Sequence, residues 1–118
     1  MSHWKIGSAT ITRIEEQLGL GSFPPDRYFT GFERRVLEEN LDWLAPNHYV
    51  PEADALITSV HSWLIKTPHH NILLDSCSGN HKDRHWWPRF HHLDTPFLER
   101  LSAAGARTED IDIVLCTH

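Results

Sequence analysis

Two side chains able to do chemistry close apolar runs in this chain: Asp75 after Ile72-Leu73-Leu74, and His118 after Ile113-Val114-Leu115-Cys116-Thr117. If both runs are strands of one sheet, a carboxylate and an imidazole arrive at carboxyl ends of strands, the edge where open α/β sheets hold their ligands. A carboxylate near a metal-binding imidazole orients the ring and fixes its tautomer. Taken singly, each residue also has a plain explanation. Aspartate commonly caps the turn after a strand, and a terminal histidine commonly belongs to a loose end.

The other histidines widen the choice. The 118 residues include 10, and six of them fall between His69 and His92. His81 and His85, with Asp83 between them, would share an ion if they stood at i and i+4 on a helix. The flanking Gly79-Asn80 and Trp86-Trp87-Pro88 predict a loop instead. His69-His70 and His91-His92 have the neighbours of solvated loop. His61 has the parity of Ile57, Trp63 and Ile65 along a strand-like run, which favours a satisfied core histidine over one lining a substrate pocket. Trp86, Trp87 and Phe90 read first as packing for the long loop onto a helix, and second as a lid.

These groups need a frame. Residues 5–14, with Ile6, Thr10, Ile11, Thr12 and Ile14, predict an opening strand, and Gly19, Gly21, Pro24 and Pro25 predict a break. Thr30-Gly31-Phe32-Glu33 has the form of a capping box. Phe32, Val36, Leu37, Leu41 and Leu44 then recur at helical spacing until Ala45-Pro46. A strand over 56–66 turns through Thr67-Pro68-His69-His70 and returns over 71–75. Residues 76–94 form a loop of a length that is often functional. Thr95 as N-cap, Pro96 at the first helical position, a stripe of Phe97, Leu98, Leu101 and Ala104, and Gly105 past the end predict a helix over 96–104. The run from Ile111 predicts a strand buried on both faces. Strand, helix and strand then make a right-handed crossover with parallel strands, so Asp75 and His118 share one edge.

Composition sets the outer limits. A chain of 118 residues with 40% hydrophobic content suits one domain, 1–118. Eleven basic residues, scattered among 16 acidic ones, leave a net charge of −5, which argues against nucleic acid or anionic membrane as partner. No apolar run nears the ~20 residues of a membrane span, and no signal-like segment follows Met1-Ser2-His3-Trp4-Lys5, so a cytoplasmic location is the default expectation. Cys77 and Cys116 are too few for a disulfide framework and read as small, partly buried residues.

Four stretches carry a resemblance. They are Trp63-Leu64-Ile65-Lys66-Thr67; Asn71-Ile72-Leu73-Leu74-Asp75-Ser76-Cys77 followed by Gly79-Asn80; Thr95-Pro96-Phe97-Leu98-Glu99-Arg100-Leu101; and Glu109-Asp110-Ile111-Asp112-Ile113-Val114-Leu115-Cys116-Thr117-His118. Together they resemble the amino-terminal half of metallo-β-lactamase-fold hydrolases, most clearly from Ala55 onward, and especially the stand-alone bacterial branch with lactonase-like and organophosphate-hydrolase-like members. In that family the last strand runs into His-x-His-x-Asp-His, whose first histidine is His118 here. The resemblance implies an α/β fold, the αββα-type sandwich, of which this chain holds the amino-terminal sheet and helices and ends at the metal motif. It implies zinc, two ions in the complete fold, with His118 a ligand of the first and Asp75 a supporting, hydrogen-bonding residue. A metal-activated water would attack a lactone, ester, amide or phosphoester centre in a small-molecule substrate. A catalytic zinc takes about three protein ligands, so the isolated chain is expected to be catalytically incompetent or nearly so.

Two other classes stay open: a small non-catalytic α+β binding domain, and a His-rich metal-binding module in the region from His69 to His92. The resemblance also carries a stability expectation. An opposing sheet would cover Ile111, Ile113 and the 56–65 strand, and this segment alone should expose apolar surface, unfold with weak cooperativity and tend to aggregate.

Overall fold

The structure, a computed structural model, describes residues 2–118. Its strands are β1 (His3–Ile6), β2 (Ala9–Leu20), β3 (Tyr49–Val50), β4 (Ala55–Lys66), β5 (Asn71–Leu74) and β6 (Ile113–Leu115), in the order β1-β2-β4-β5-β6 with β3 beside β4. Helices are short: α1 (Arg34–Glu38), α2 (Leu41–Leu44) and α3 (Phe97–Ala103). Two compact units divide the chain, Met1–Gln17 with Val60–His118, and Leu18–Ser59. None of the helices among the described residues is long and apolar enough to cross a membrane.

In the first unit β1 and β2 form an antiparallel hairpin with Ile6 opposite Ala9. The single opening strand expected over 5–14 is therefore two, because Gly7 turns the chain at φ 59°, a left-handed geometry that costs glycine little. β4 pairs antiparallel with β5, Lys66 facing Asn71 across the 67–70 turn, as expected. The Thr67 hydroxyl organises that turn by accepting the amides of His69 and His70. β5 and β6 are parallel, with Ile72 beside Ile113 and Leu74 beside Leu115, so the crossover through α3 is present. Gly105 follows α3 at φ 96°, in the left-handed position predicted for it.

The core of this unit is Ile14, Leu64, Leu73, Leu101 and Ala106, with Phe97, Ala104 and Ile111 packed against it. It lies between one face of the sheet and α3. Four expectations change here. β6 is not buried on both faces: Ile113, Val114 and Leu115 are 37%, 55% and 48% exposed. Among the described residues it ends the strand order with a neighbour on one side, a position that its β-branched composition cannot reveal. Ile111 packs on the α3 side, not on the side left for an opposing sheet. Leu98 is exposed, and Thr95 does not cap α3 with its side chain, because its amide and hydroxyl both bond Asn80 Oδ1.

In the second unit the expected long helix is broken into α1 and α2. Asn40 Nδ2 donates to the Val36 carbonyl while Asn40 Oδ1 accepts from Trp43 Nε1, a side-chain competition with the backbone that ends α1. Thr30 makes no capping box; the N-cap is Glu33, extended and without a side-chain cap bond. Pro46 acts as expected, with Ala45 pushed to extended backbone after α2. Arg34 grips Asp54 through two 3.0 Å hydrogen bonds, and the Tyr49 hydroxyl donates to the same carboxylate at 2.7 Å.

Candidate functional site

The parallel ladder delivers the two groups singled out from sequence to one rim. Its last rung is the Asp75 amide donating to the Leu115 carbonyl at 2.8 Å, and Asp75 then turns to φ 58°. That turn aims the carboxylate at Thr117: Oδ1 accepts the Thr117 amide at 2.8 Å and Oδ2 accepts its hydroxyl at 2.7 Å. The Thr117 Oγ1 is also 2.7 Å from His118 Nδ1.

A hydroxyl has one hydrogen, and here it goes to a carboxylate that can only accept. Thr117 Oγ1 must then accept from His118, which places the ring proton on Nδ1 and leaves Nε2 with a free lone pair. This assignment follows from the network. Thr117 hydroxyl, then Thr117 amide, hold the Asp75 carboxyl below its ordinary value, so Asp75 is a charged acceptor at neutral pH. Thr117 escaped the sequence reading; its place directly before the histidine, at a strand end, was the available signal.

A second set of bonds holds the rim from behind. Ser62 is fully buried on β4, and its hydroxyl donates to the Asp75 carbonyl and lies 3.2 Å from Cys77 Sγ. Burial pushes the Cys77 thiol up to about 11, so it stays protonated and inert. Glu16, 2% exposed on β2, accepts the Ser78 and Gly79 amides with its two oxygens at 3.0 and 2.7 Å. A charged side chain so placed fixes the start of the long loop just past Asp75. Cys116, in contrast with the sequence reading, is exposed.

His61 is half-buried, not a core residue. It stands on the sheet face opposite the Leu64 core, edge-on to Trp63 with ring centroids 5.0 Å apart. Burial, then the Arg13 guanidinium, lower its imidazole below the ordinary 6.5, while Glu15 and Asp75 act against that shift. His81 and His85 do not share a helix: His81 has φ 57° and both lie in loop. Trp86 and Trp87 are 69% and 42% exposed, so Trp86 does not pack the loop down as expected.

No family model and no curated protein sequence matches the chain. Solved structures do. A probable metal-dependent hydrolase from Staphylococcus aureus matches at TM-score 0.75 and 20% identity, over 98% of this chain and 39% of its own. The hydrolase AbOPH of the beta lactamase superfamily matches at 0.71 and 22%, over 98% and 35%. AidC, a dizinc quorum-quenching lactonase in complex with a product N-hexnoyl-L-homoserine, matches at 0.65 and 20%, over 99% and 35%. The chain spans little more than a third of the length of these structures. Its fold is part of the α/β metallo-β-lactamase fold: one mixed sheet with its helices.

Proposed function

We propose that the chain is the amino-terminal part of a metal-dependent hydrolase, with His118 giving one imidazole nitrogen to a zinc-type ion and Asp75 acting through Thr117 to hold that ring's tautomer. The carrying observation is the relay from Asp75 Oδ2 through Thr117 Oγ1 to His118 Nδ1, with both links at 2.7 Å. The likeness to three hydrolase structures, one of them dizinc, supports the same reading.

The residues present fit such an ion in part. His118 offers Nε2, exposed and unprotonated in the assigned tautomer. Asp75 is turned to Thr117, which bonds both of its oxygens, and its part here is to support the ring. The rim thus supplies one ligand of the roughly three that a catalytic zinc takes. When bound, the metal supplies a water acidic enough to act as nucleophile near neutral pH, suited to a lactone, ester or phosphoester. What this chain's residues do is narrower. Asp75 holds a negative charge that keeps the proton on Nδ1, Thr117 transmits it, and Ser62 and Glu16 keep the strand end and loop in register. His61, on the open face of the same sheet, would line the substrate pocket.

The coding sequence just past codon 118 tests the assignment. A continuation x-His-x-Asp-His supports it; any other continuation, or a stop, overturns it. The positioning role has its own readout in ¹⁵N NMR of the His118 ring. The Nδ1–H tautomer should dominate, and Thr117→Val or Asp75→Ala should convert it to a mixture. An Nε2–H tautomer in the unaltered protein would sink the relay.

A further inference from the structure

The long loop brings together a second set of metal-ligating groups that the rim does not use. We propose that Asp83, His91 and His92 form a binding site for a first-row divalent transition ion of the zinc or nickel class, closing the 80–94 loop upon itself. One ligand atom from each of the three lies within 4.8 Å of the others, and among the described residues they are the one such group of three.

The backbone builds this cluster. The His92 amide donates to the Lys82 carbonyl at 2.9 Å and the His81 amide to the Leu93 carbonyl at 2.8 Å. The two arms of the loop therefore run against each other, and Asp83 on one arm meets His91 on the other. Adjacent residues of an extended chain point to opposite sides. His92 departs from that geometry at φ 46°, and its ring comes to stack on that of His91, centroids 4.1 Å apart and planes 20° from parallel. Asp83 thus has His91 and His92 beside it from the other arm, and His85 from its own, with His85 Nδ1 3.3 Å from Oδ1.

The charge pattern suits a cation. His91 Nδ1 accepts the Arg84 amide at 3.0 Å, so in the neutral ring its lone pair is turned toward that donor and carries no proton. Asp83 Oδ1 nonetheless lies 3.4 Å from the same nitrogen. An ion taken up here would replace the Arg84 amide at His91 Nδ1 or use Nε2 of that ring, with the Asp83 carboxylate supplying the opposite charge. Asp83 also accepts from the His85 amide at 3.2 Å, which holds its carboxylate in place. Donors of a tetrahedral zinc sit roughly 3.3 Å apart, so the cluster must tighten by a modest swing of the stacked rings. Asp83 and His92 are exposed and His91 half-buried, which leaves room for that motion and for water at the remaining position. Two imidazoles favour zinc, nickel or copper over calcium or magnesium, which prefer oxygen ligands.

The two imidazoles can be watched individually by modification with diethylpyrocarbonate, read peptide by peptide by mass spectrometry while zinc is titrated. His91 and His92 should be protected together at the lowest zinc concentrations, with His69 and His70 still reactive, and calcium should protect neither pair. Asp83→Asn, an exposed and nearly isosteric change, should raise the zinc needed by about tenfold or more; His92→Gln should do the same for His91. Protection of His91 and His92 no earlier than His69 and His70, equal protection by calcium, or no shift in Asp83→Asn would overturn the site. His118 is scored in the same experiment, so failure here is distinguishable from failure of the rim.

Discussion

Leu64 and Ile65 are neighbours in β4, yet Leu64 exposes nothing while Ile65 lines an open groove of about 380 Å³ with Trp4, Ile6, Ile11, Trp63 and Leu74. The strand sends alternate residues to opposite faces, and only one face has α3 against it. On the covered face even a carboxylate is buried, as Glu16 shows. On the other, Trp4 and Ile6 are 48% and 65% exposed, and Trp4, Trp63 and His61 form a row of ring contacts at 5.5 and 5.0 Å. A sheet apolar at both parities is made for cover on both faces. Within this unit one face has received it.

Paired substitutions in β4 separate the two faces most directly. Leu64→Ala removes a side chain from a closed core and should cost about 2–5 kcal/mol, whereas Ile65→Ala on the groove should cost under about 1 kcal/mol. Denaturant unfolding followed by tryptophan fluorescence measures both. Equal losses would mean that the open face is packed in solution. Glu16→Ala comes next: it strands the Ser78 and Gly79 amides and should cost about 1–3 kcal/mol, with Glu16→Gln recovering part of that because one acceptor remains.

How far the sequence foretold this follows from what each signal encodes. β4, β5, the turn between them and the crossover through α3 were legible, because apolar runs bounded by Thr67-Pro68 and by Gly105 encode local geometry directly. Exposure of β6 was not: Ile113-Val114-Leu115 has the composition of a central strand, and sheet position depends on which neighbours are present. Capping was misread twice, at Thr95 because its amide and hydroxyl bond Asn80, and at Thr30 because α1 begins later, with Glu33 as its N-cap. Both threonines have the right chemistry, and Asn40 separately shortened the helix expected to run on from Thr30. At the rim, Asp75 and His118 were legible as strand ends and Thr117 was not, since its part depends on a register of 2.7 Å contacts. Pairing of Asp83 with His91 and His92 likewise requires the loop's two arms to meet. The periodicity of His81 and His85 pointed elsewhere.

Thiol chemistry sharpens the same contrast at smaller scale. Cys116 is exposed, while Cys77 is half-buried behind Ser62 with its thiol raised to about 11. At pH 8 Cys116 should react with a disulfide reagent at least about tenfold faster than Cys77, judged by labelled-peptide analysis, since the thiolate is the reactive form. Comparable rates would show that the covered face opens readily.

His61 supplies the most delicate test, because it reports on the open face itself. Burial is the first cause of its lowered pKa and the Arg13 guanidinium the second, so the folded chain binds this proton less readily than the unfolded chain does. The sign follows from linkage: stability contributed by the neutral ring is fully present above the ordinary value of 6.5 and is lost as pH falls through the folded pKa. A proton NMR titration of the His61 ring should give a midpoint below 6.5 that rises toward it in Trp63→Ala, where the covering indole is gone. Any further layer laid over this face would remove more water from the ring and press the midpoint lower still. A midpoint at or above 6.5 in the unaltered chain would place His61 in solvent, and the open face would then lack even the partial cover that Trp63 provides.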